Sequence, residues 1–348
     1  MSEKYYVQRN DNNVERLREL KAELPYFCSE FFVGVENTTT PLTRLNYAYD
    51  LRIFFYYLAT HAPQFHGRSA KQISLLDLNA LTATEIENFL EFLSMYEFNG
   101  KTYRNNARAK SRKLSTLRSF FSYFYKKEKL DRNISEKVDL PKLREKAIVR
   151  LEVDEMVNLL DMAETGYALS PTQQVFHKHT EARDFAIIAL MLGTGIRVSE
   201  CVGLDIDDID FSINGFKVIR KGGSEVVLYF NQEVEKALRA YLEVRVNQKD
   251  VPASEKALFL SLQKKRISTR AVQNLVKKYS SLVAPLKNIS PHKLRSTYGT
   301  NLYKETKDIY VVADVLGHKD INTTKRHYAA MSEDVRRNAA KKVKLREE

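Results

Sequence analysis

The chain has 348 residues, 43% of them hydrophobic and 29% charged, a globular mix sized for roughly two domains at ~150 residues each. Two cysteines, twelve glycines and eight prolines exclude a disulfide framework and collagen-like or low-complexity architecture, and they fit a reducing cytoplasm. No apolar run approaches the ~18–20 residues that span a bilayer and no apolar signal core follows Met1, while 56 Lys plus Arg against 44 Asp plus Glu give a formal charge of +12 that favours a polyanionic partner.

In chain order, residues 1–20 are polar and read as a loose or weakly helical lead-in. Thr40-Pro41 predicts an N-cap with proline at the first helical position, followed by Tyr47, Leu51, Phe54, Phe55 and Leu58 at helical spacing. Thr82 and Glu85 form a capping-box pattern ahead of Ile86, Phe89, Leu90 and Leu93. A helix over about 105–127 carries an apolar stripe of Leu114, Leu117, Phe121 and Phe124. Its first half instead shows Arg104, Arg108 and Arg112 four apart, with Lys110 and Lys113 beside them. From Arg104 to Arg118 there is no carboxylate, so i,i+4 pairs within the helix do not account for these cations. Against the bland reading of a solvated face, the imbalance of sign favours contact with DNA phosphates.

The polar stretch Asn133–Ala147 reads as an interdomain linker. A helix over 153–164 follows, then a loop insertion over 165–180, then an apolar helix from Ala182 to Leu192 ending at Gly193. Phe216, Val218 and Ile219, the Lys221-Gly222-Gly223 turn and the run Val226–Phe230 give the one clear β-hairpin signal. The remainder is helical apart from the apolar run Leu258–Leu260, and there is no internal repeat. A helix over 269–281 places Arg270, Gln273 and Lys277 on or near one face, as residues that could read a major groove.

Four segments place reactive side chains beside a turn or cap. Arg197 opens a helix after the Gly195 break, and Lys221 sits at the hairpin tip. Ser290-Pro291 starts a helix bearing His292 and Arg295, and Leu316-Gly317-His318 closes another, followed by Asn322 or Thr323 as cap of a short helix with Tyr328. Singly, each residue has an ordinary explanation: a surface arginine, a structural histidine, a packed tyrosine. Their ordered combination does not. His177 and His179 suggest a metal pair only superficially; with no clustered Cys or carboxylate ligands they read as surface residues.

The segments ARDFAIIALMLGTGIRVSECVGLDIDDID, IRKGGSEV, SPHKLRSTYGTNLY and VLGHKDINTTKRHY resemble the tyrosine recombinases of the phage-integrase superfamily, and the resemblance covers essentially 149–330. The insertion near 165–180, the Arg-Lys-Gly-Gly turn and the lack of an obvious extra N-terminal module resemble the single-recombinase Xer branch, as in XerS-type proteins. The resemblance implies a mainly α fold with a small antiparallel β-sheet: a helical, SAM-like core-binding domain over 21–135 and an α+β catalytic domain over 149–331. A linker over 136–148 joins them, and for the basic tail over 332–348 two readings stand, a helix that docks on a neighbouring protomer and a frayed, solvated terminus. It also implies roles. Tyr328 attacks phosphorus to form a 3′-phosphotyrosine and free a 5′-hydroxyl. Arg197 and Arg295 clamp the nonbridging oxygens. Lys221 protonates the leaving 5′-oxygen, His292 assists the tyrosine hydroxyl as base or hydrogen-bond partner, and His318 bonds the phosphate. No cofactor or metal is implied.

The implied partners are double-stranded DNA with paired inverted half-sites, three further copies in a homotetramer on synapsed DNA, and a cell-division or element-encoded accessory protein, in a cytoplasmic, nucleoid-associated setting. Two positions depart from the pattern. Tyr328 lies ten residues after His318, where Xer proteins commonly place the tyrosine one residue sooner, and Ser296 stands where many relatives have histidine. Chromosome-dimer resolution and integration of a phage or mobile element share this chemistry. A type IB topoisomerase and a non-catalytic DNA-binding regulator are the rival classes, to be separated by relaxation, recombination and covalent-trapping assays.

Overall fold

The computed structural model describes residues 5–142, 149–220 and 223–318. The chain forms two compact units, residues 1–146 and 147–348. Among the described residues no helix is long and apolar enough to cross a membrane.

The first unit begins with α1 (Tyr5–Lys21), α2 (Cys28–Gly34) and α3 (Pro41–His61). The expected loose lead-in is instead a regular helix: Leu17 and Leu20, three apart, are buried against the α3 layer, and one such pair is enough to seat an otherwise polar segment. Thr40 caps α3, its hydroxyl accepting from the Thr43 amide at 3.2 Å. After α4 (Ala83–Phe92), opened by the Thr82–Glu85 pair as expected (Thr82 N–H to the Glu85 carboxylate, 2.8 Å), come β1 (Tyr96–Phe98) and β2 (Lys101–Tyr103). This hairpin is additional to the elements expected from the sequence, and Asn99-Gly100 between the strands is the sequence that its turn demands. Both residues have positive φ, 51° and 70°, as a two-residue primed turn requires.

α5 (Ala107–Lys126) then crosses the unit, with the Asn106 side chain accepting from the Ala109 amide. The core between α2, α3, α4 and α5 is aromatic. Phe54 meets Phe89 edge-on at 5.2 Å, and Phe31 meets Phe120 at 5.3 Å, the geometry that ring quadrupoles favour. The expected linker starts late. Ile134 and Val138 are buried in this core, and Arg118 donates to the carbonyls of Ser135 (3.3 Å) and Val138 (2.7 Å).

The second unit contains α6 (Val153–Thr165), α7 (Pro171–His177), α8 (Glu181–Thr194), the short α9 (Val198–Cys201), β3 (Ile209–Asp210), β4 (Gly215–Ile219), β5 (Glu225–Tyr229), α10 (Gln232–Val246), α11 (Thr269–Val283), α12 (Pro291–Thr306) and α13 (Ile309–Leu316). Helix α8 is central, with α6, α10, α11 and α12 packed on it. Residues Ala186 to Met191 are buried without interruption, so this helix is apolar on all sides because it is covered on all sides. It does not stop at Gly193. A Cβ there would lie 2.5 Å from Val234 of α10, so Gly193 serves close helix packing, and the helix ends at Gly195, whose φ of +62° is the left-handed cap.

The hairpin expected around residue 222 is present as β4–β5, antiparallel with Phe216 opposite Leu228 and Val218 opposite Val226, and β3 adds a third strand. Phe216, Val218 and Leu228 point into the core, while the outward Lys217 pairs with Glu225 at 3.0 Å.

The supposed loop over 165–180 holds α7, capped by Ser170, whose hydroxyl accepts from the Gln173 amide. His177 at its end is buried, 4% exposed, and not a surface residue as expected; His179 is exposed. The His177 Nδ1 lies 3.0 Å from the Tyr279 hydroxyl, which donates to Asp184 Oδ2 at 2.8 Å and accepts from Lys278 Nζ at 2.7 Å. With its single proton given to Asp184, Tyr279 accepts from His177, which fixes the Nδ1–H tautomer. Burial, reinforced by Asp184, pushes the Tyr279 phenol up and keeps that proton in place. Among the described residues no group of His, Cys, Asp and Glu is arranged to hold a metal ion.

Each unit encloses one cysteine, Cys28 in the first and Cys201 in the second, both buried and free. Burial raises both thiols, that of Cys201 to about 12.

Candidate active site

The site of the second unit is built on two glycine-ended helices. Gly195 turns the chain out of α8, and a Cβ there would sit 2.4 Å from the Tyr298 ring and 3.0 Å from Leu316, so the turn is pressed against α12 and α13. Two residues later Arg197 is the N-cap of α9. Glu200 reaches back to it twice: its Oε2 accepts the Arg197 backbone N–H at 3.0 Å, and its Oε1 accepts Arg197 Nη1 at 2.8 Å. That carboxylate is 5% exposed and the arginine side chain 33%, so one edge of the guanidinium is held from inside while the group still meets solvent.

Helix α13 ends in a Schellman turn, with the His318 amide bonded to the Ala313 carbonyl (2.9 Å), the Gly317 amide to that of Asp314 (2.8 Å), and Gly317 at φ +59°. The last carbonyls of a helix lack amide partners and form the negative end of its dipole. Here guanidinium groups bond the carbonyls of Val315, Leu316 and Gly317 and share that of Asp314 with the Gly317 amide. Arg197 Nη2 donates to the carbonyls of Leu316 (3.2 Å) and Gly317 (3.0 Å). Arg295, on α12 and 5% exposed, donates to the carbonyls of Leu316 and Gly195. Arg220, the residue after β4, donates Nη1 to Asp314 (3.0 Å) and Nη2 to Val315 (2.6 Å).

Of the six expected catalytic residues, Arg197 and Arg295 thus meet at the Leu316 carbonyl. His318 follows at once in the chain and is partly buried, and His292 is exposed in the first turn of the helix that carries Arg295 one turn further on. Ser290 precedes that helix in extended backbone with Pro291 at its first position, as expected. Lys221 and Tyr328 lie outside the described residues, as do the Asn322 or Thr323 cap and the tail 332–348.

Arg220 and Glu200 were not singled out by sequence reasoning. Glu200 stands three residues after Arg197, the spacing of a carboxylate that bonds back to an N-cap, and that was its available signal. Arg220 carried none beyond its place beside the glycine turn.

The expected basic stripe divides, and Arg104 lies before α5, which starts at Ala107. Arg108 is exposed; Arg104 is exposed and reaches the Met95 sulfur; Lys110 donates to Ser94 at 2.6 Å. Lys113 is 7% exposed, its ammonium 2.8 Å from Asp50 Oδ1, which withdraws it from the expected phosphate contacts. Arg112 closes a two-pronged bond on the same carboxylate at 2.5 and 2.7 Å, so the counter-charge missing from α5 comes from α3. On α11, Arg270, Gln273 and Lys277 are all exposed, while Val272, Leu275, Val276 and Tyr279 face inward.

Residues 149–334 match the model of the phage integrase family. The chain is 33% identical to tyrosine recombinase XerC of Caldanaerobacter subterraneus subsp. tengcongensis over 93% of its own length and 88% of the relative's. It is 30% identical to tyrosine recombinase XerS of Streptococcus agalactiae, over 95% and 98%. In fold it is similar to a lambda integrase tetramer bound to a Holliday junction, with a TM-score of 0.60 at 16% identity, covering 87% of this chain and 76% of that one. With two arginines gathered on one helix end and similarity along nearly the whole length of these relatives, the chain belongs to the phage integrase family and is a tyrosine recombinase, an enzyme of site-specific DNA recombination.

Proposed function

We propose that the protein cuts and rejoins duplex DNA at paired inverted half-sites through a covalent 3′-phosphotyrosine on Tyr328, as a homotetramer on synapsed DNA, and that its role is the resolution of chromosome dimers. The meeting of Arg197 and Arg295 at the Leu316 carbonyl carries this reading. Two planar, permanently charged forks converge there, and a pentacovalent phosphorus with charge on its nonbridging oxygens is the group they suit. Lys221 is the general acid toward the leaving 5′-oxygen, His292 the partner of the tyrosine hydroxyl and His318 a phosphate ligand.

The near-complete alignment with recombinases named XerC and XerS supports the chromosomal role over integration of a mobile element. The lambda integrase tetramer on its junction supports the assembly state, with the tail 332–348 docking between protomers. Arg104, Arg108 and Lys110 of the first unit, with Arg112 once its bond to Asp50 is shared, and Arg270, Gln273 and Lys277 of α11 are the proposed DNA contacts. The work is done at the nucleoid, with a cell-division protein as accessory partner.

The test is a duplex nicked near the scissile phosphate, so that the cleaved end diffuses away. Wild type accumulates a covalent protein–DNA adduct and Tyr328→Phe accumulates none. Adduct formed by the phenylalanine variant, or plasmid relaxation with no site requirement, refutes the proposal.

A further inference from the structure

We infer that Arg220 is a positioning residue for the arginine pair, acting through the C-terminal end of α13. The inference rests on the phosphate-clamp reading above and assigns a function to a side chain outside the catalytic set.

Arg197, Arg220 and Arg295 together hold the carbonyls of residues 314–317. Leu316 is the hub, since both Arg197 and Arg295 donate to it, and the directions left to their remaining N–H groups depend on where that oxygen sits. Arg220 holds the two carbonyls just before it and is the member of the trio that comes from the sheet. Its backbone is fixed in the hairpin, its amide bonded to the Ser224 carbonyl at 2.9 Å and its carbonyl to the Gly223 amide at 3.0 Å.

The approach is close. A Cβ on Gly317 would lie 2.1 Å from Arg220 Nη1, so the guanidinium rests on the bare face of that glycine. Burial lowers the pKa of Arg220, partly offset by Glu200, and Arg197 lowers it further, which places the two cations within each other's field. Without Arg220, the part-buried Val315 carbonyl loses its side-chain donor, while the exposed Asp314 carbonyl keeps the Gly317 amide and loses its second donor. The last turn of α13 then loosens, and the Val315 carbonyl becomes a further acceptor that competes with a phosphate for the N–H groups of Arg197 and Arg295. A shift of about 1 Å in such groups is enough for roughly a 10²-fold loss of rate.

The experiment compares single-turnover cleavage of two nicked duplexes by the full-length chain. One has the ordinary scissile phosphodiester; the other has a methylphosphonate there, which lacks one charged nonbridging oxygen and so depends less on aimed guanidinium groups. Arg220→Ala is expected to cleave the phosphodiester about 10²-fold more slowly than wild type and to lie within about tenfold on the methylphosphonate. Half-site affinity and melting temperature should be close to wild type, and Arg220→Lys, able to reach one carbonyl, should recover part of the rate. An equal defect on both substrates, or wild-type cleavage of the phosphodiester, overturns the inference. Arg295→Ala is the control for the reading beneath it. If that variant shows no difference between substrates, the clamp itself fails; if it does while Arg220→Ala does not, only the positioning role fails.

Discussion

Asp50 shows how one side chain reassigns several others. Its carboxylate, 1% exposed, accepts from Arg112 twice, from Lys113 and from the Thr116 hydroxyl (2.8 Å), so every strong acceptor direction is used. Removing one partner of a buried ion pair leaves the other uncompensated, at about 3–5 kcal/mol. Asp50→Ala should therefore destabilise the first unit by about that amount, read by urea unfolding followed by circular dichroism, since the chain has no tryptophan. The neighbouring cations then behave differently from one another. Arg108→Ala should lower the slope of log K against log salt for DNA binding by about 1, as expected when one phosphate contact is lost. Lys113→Ala should leave that slope unchanged and lower stability instead. Equal slopes for both variants would return Lys113 to the interface.

Among elements, the α8–α9 corner ties the central helix to the site. At Gly195→Ala the positive φ and the contact with Tyr298 both oppose a side chain, for a cost of about 1–3 kcal/mol from the backbone alone. Because Arg197 follows two residues later, cleavage should fall along with the melting temperature. Helix α7 is held by another device, the chain His177–Tyr279–Asp184. Tyr279→Phe deprives Asp184 of a donor and His177 Nδ1 of its acceptor and should cost about 1–3 kcal/mol, measured by thermal melting, without changing DNA affinity.

Elements with a local cause were legible in the sequence. The Thr40 cap, the Thr82–Glu85 pair, the Ser290-Pro291 start and the β4–β5 turn are each written in a few adjacent residues. Asn99-Gly100 is equally local, but strands of only three residues on either side give it no alternating pattern to stand beside. Gly193 and Gly195 could not be told apart by sequence, since the difference is Val234, 41 residues after Gly193. His177 read as a surface residue for the same reason: Tyr279, its partner, comes from another helix.

At the scale of the whole molecule, the order of arginines, histidines and the glycine turn was visible in the sequence because each sits beside its own cap. What they converge on was not. The hub is a backbone carbonyl, and no residue type announces that. The net charge of +12 is likewise a property of the chain that says nothing of where phosphate contacts fall. Lys113 is a cation spent on the fold, and Arg112 is partly so.

The placement of the two thiols gives the protein a pair of internal reporters. Each is shut inside a different unit and held protonated, so neither should react with iodoacetamide while its own unit stays closed. Peptide mapping of alkylation at rising urea would then time the opening of each half separately, with no label introduced, and show whether engaging a half-site guards Cys28 and Cys201 alike or favours one.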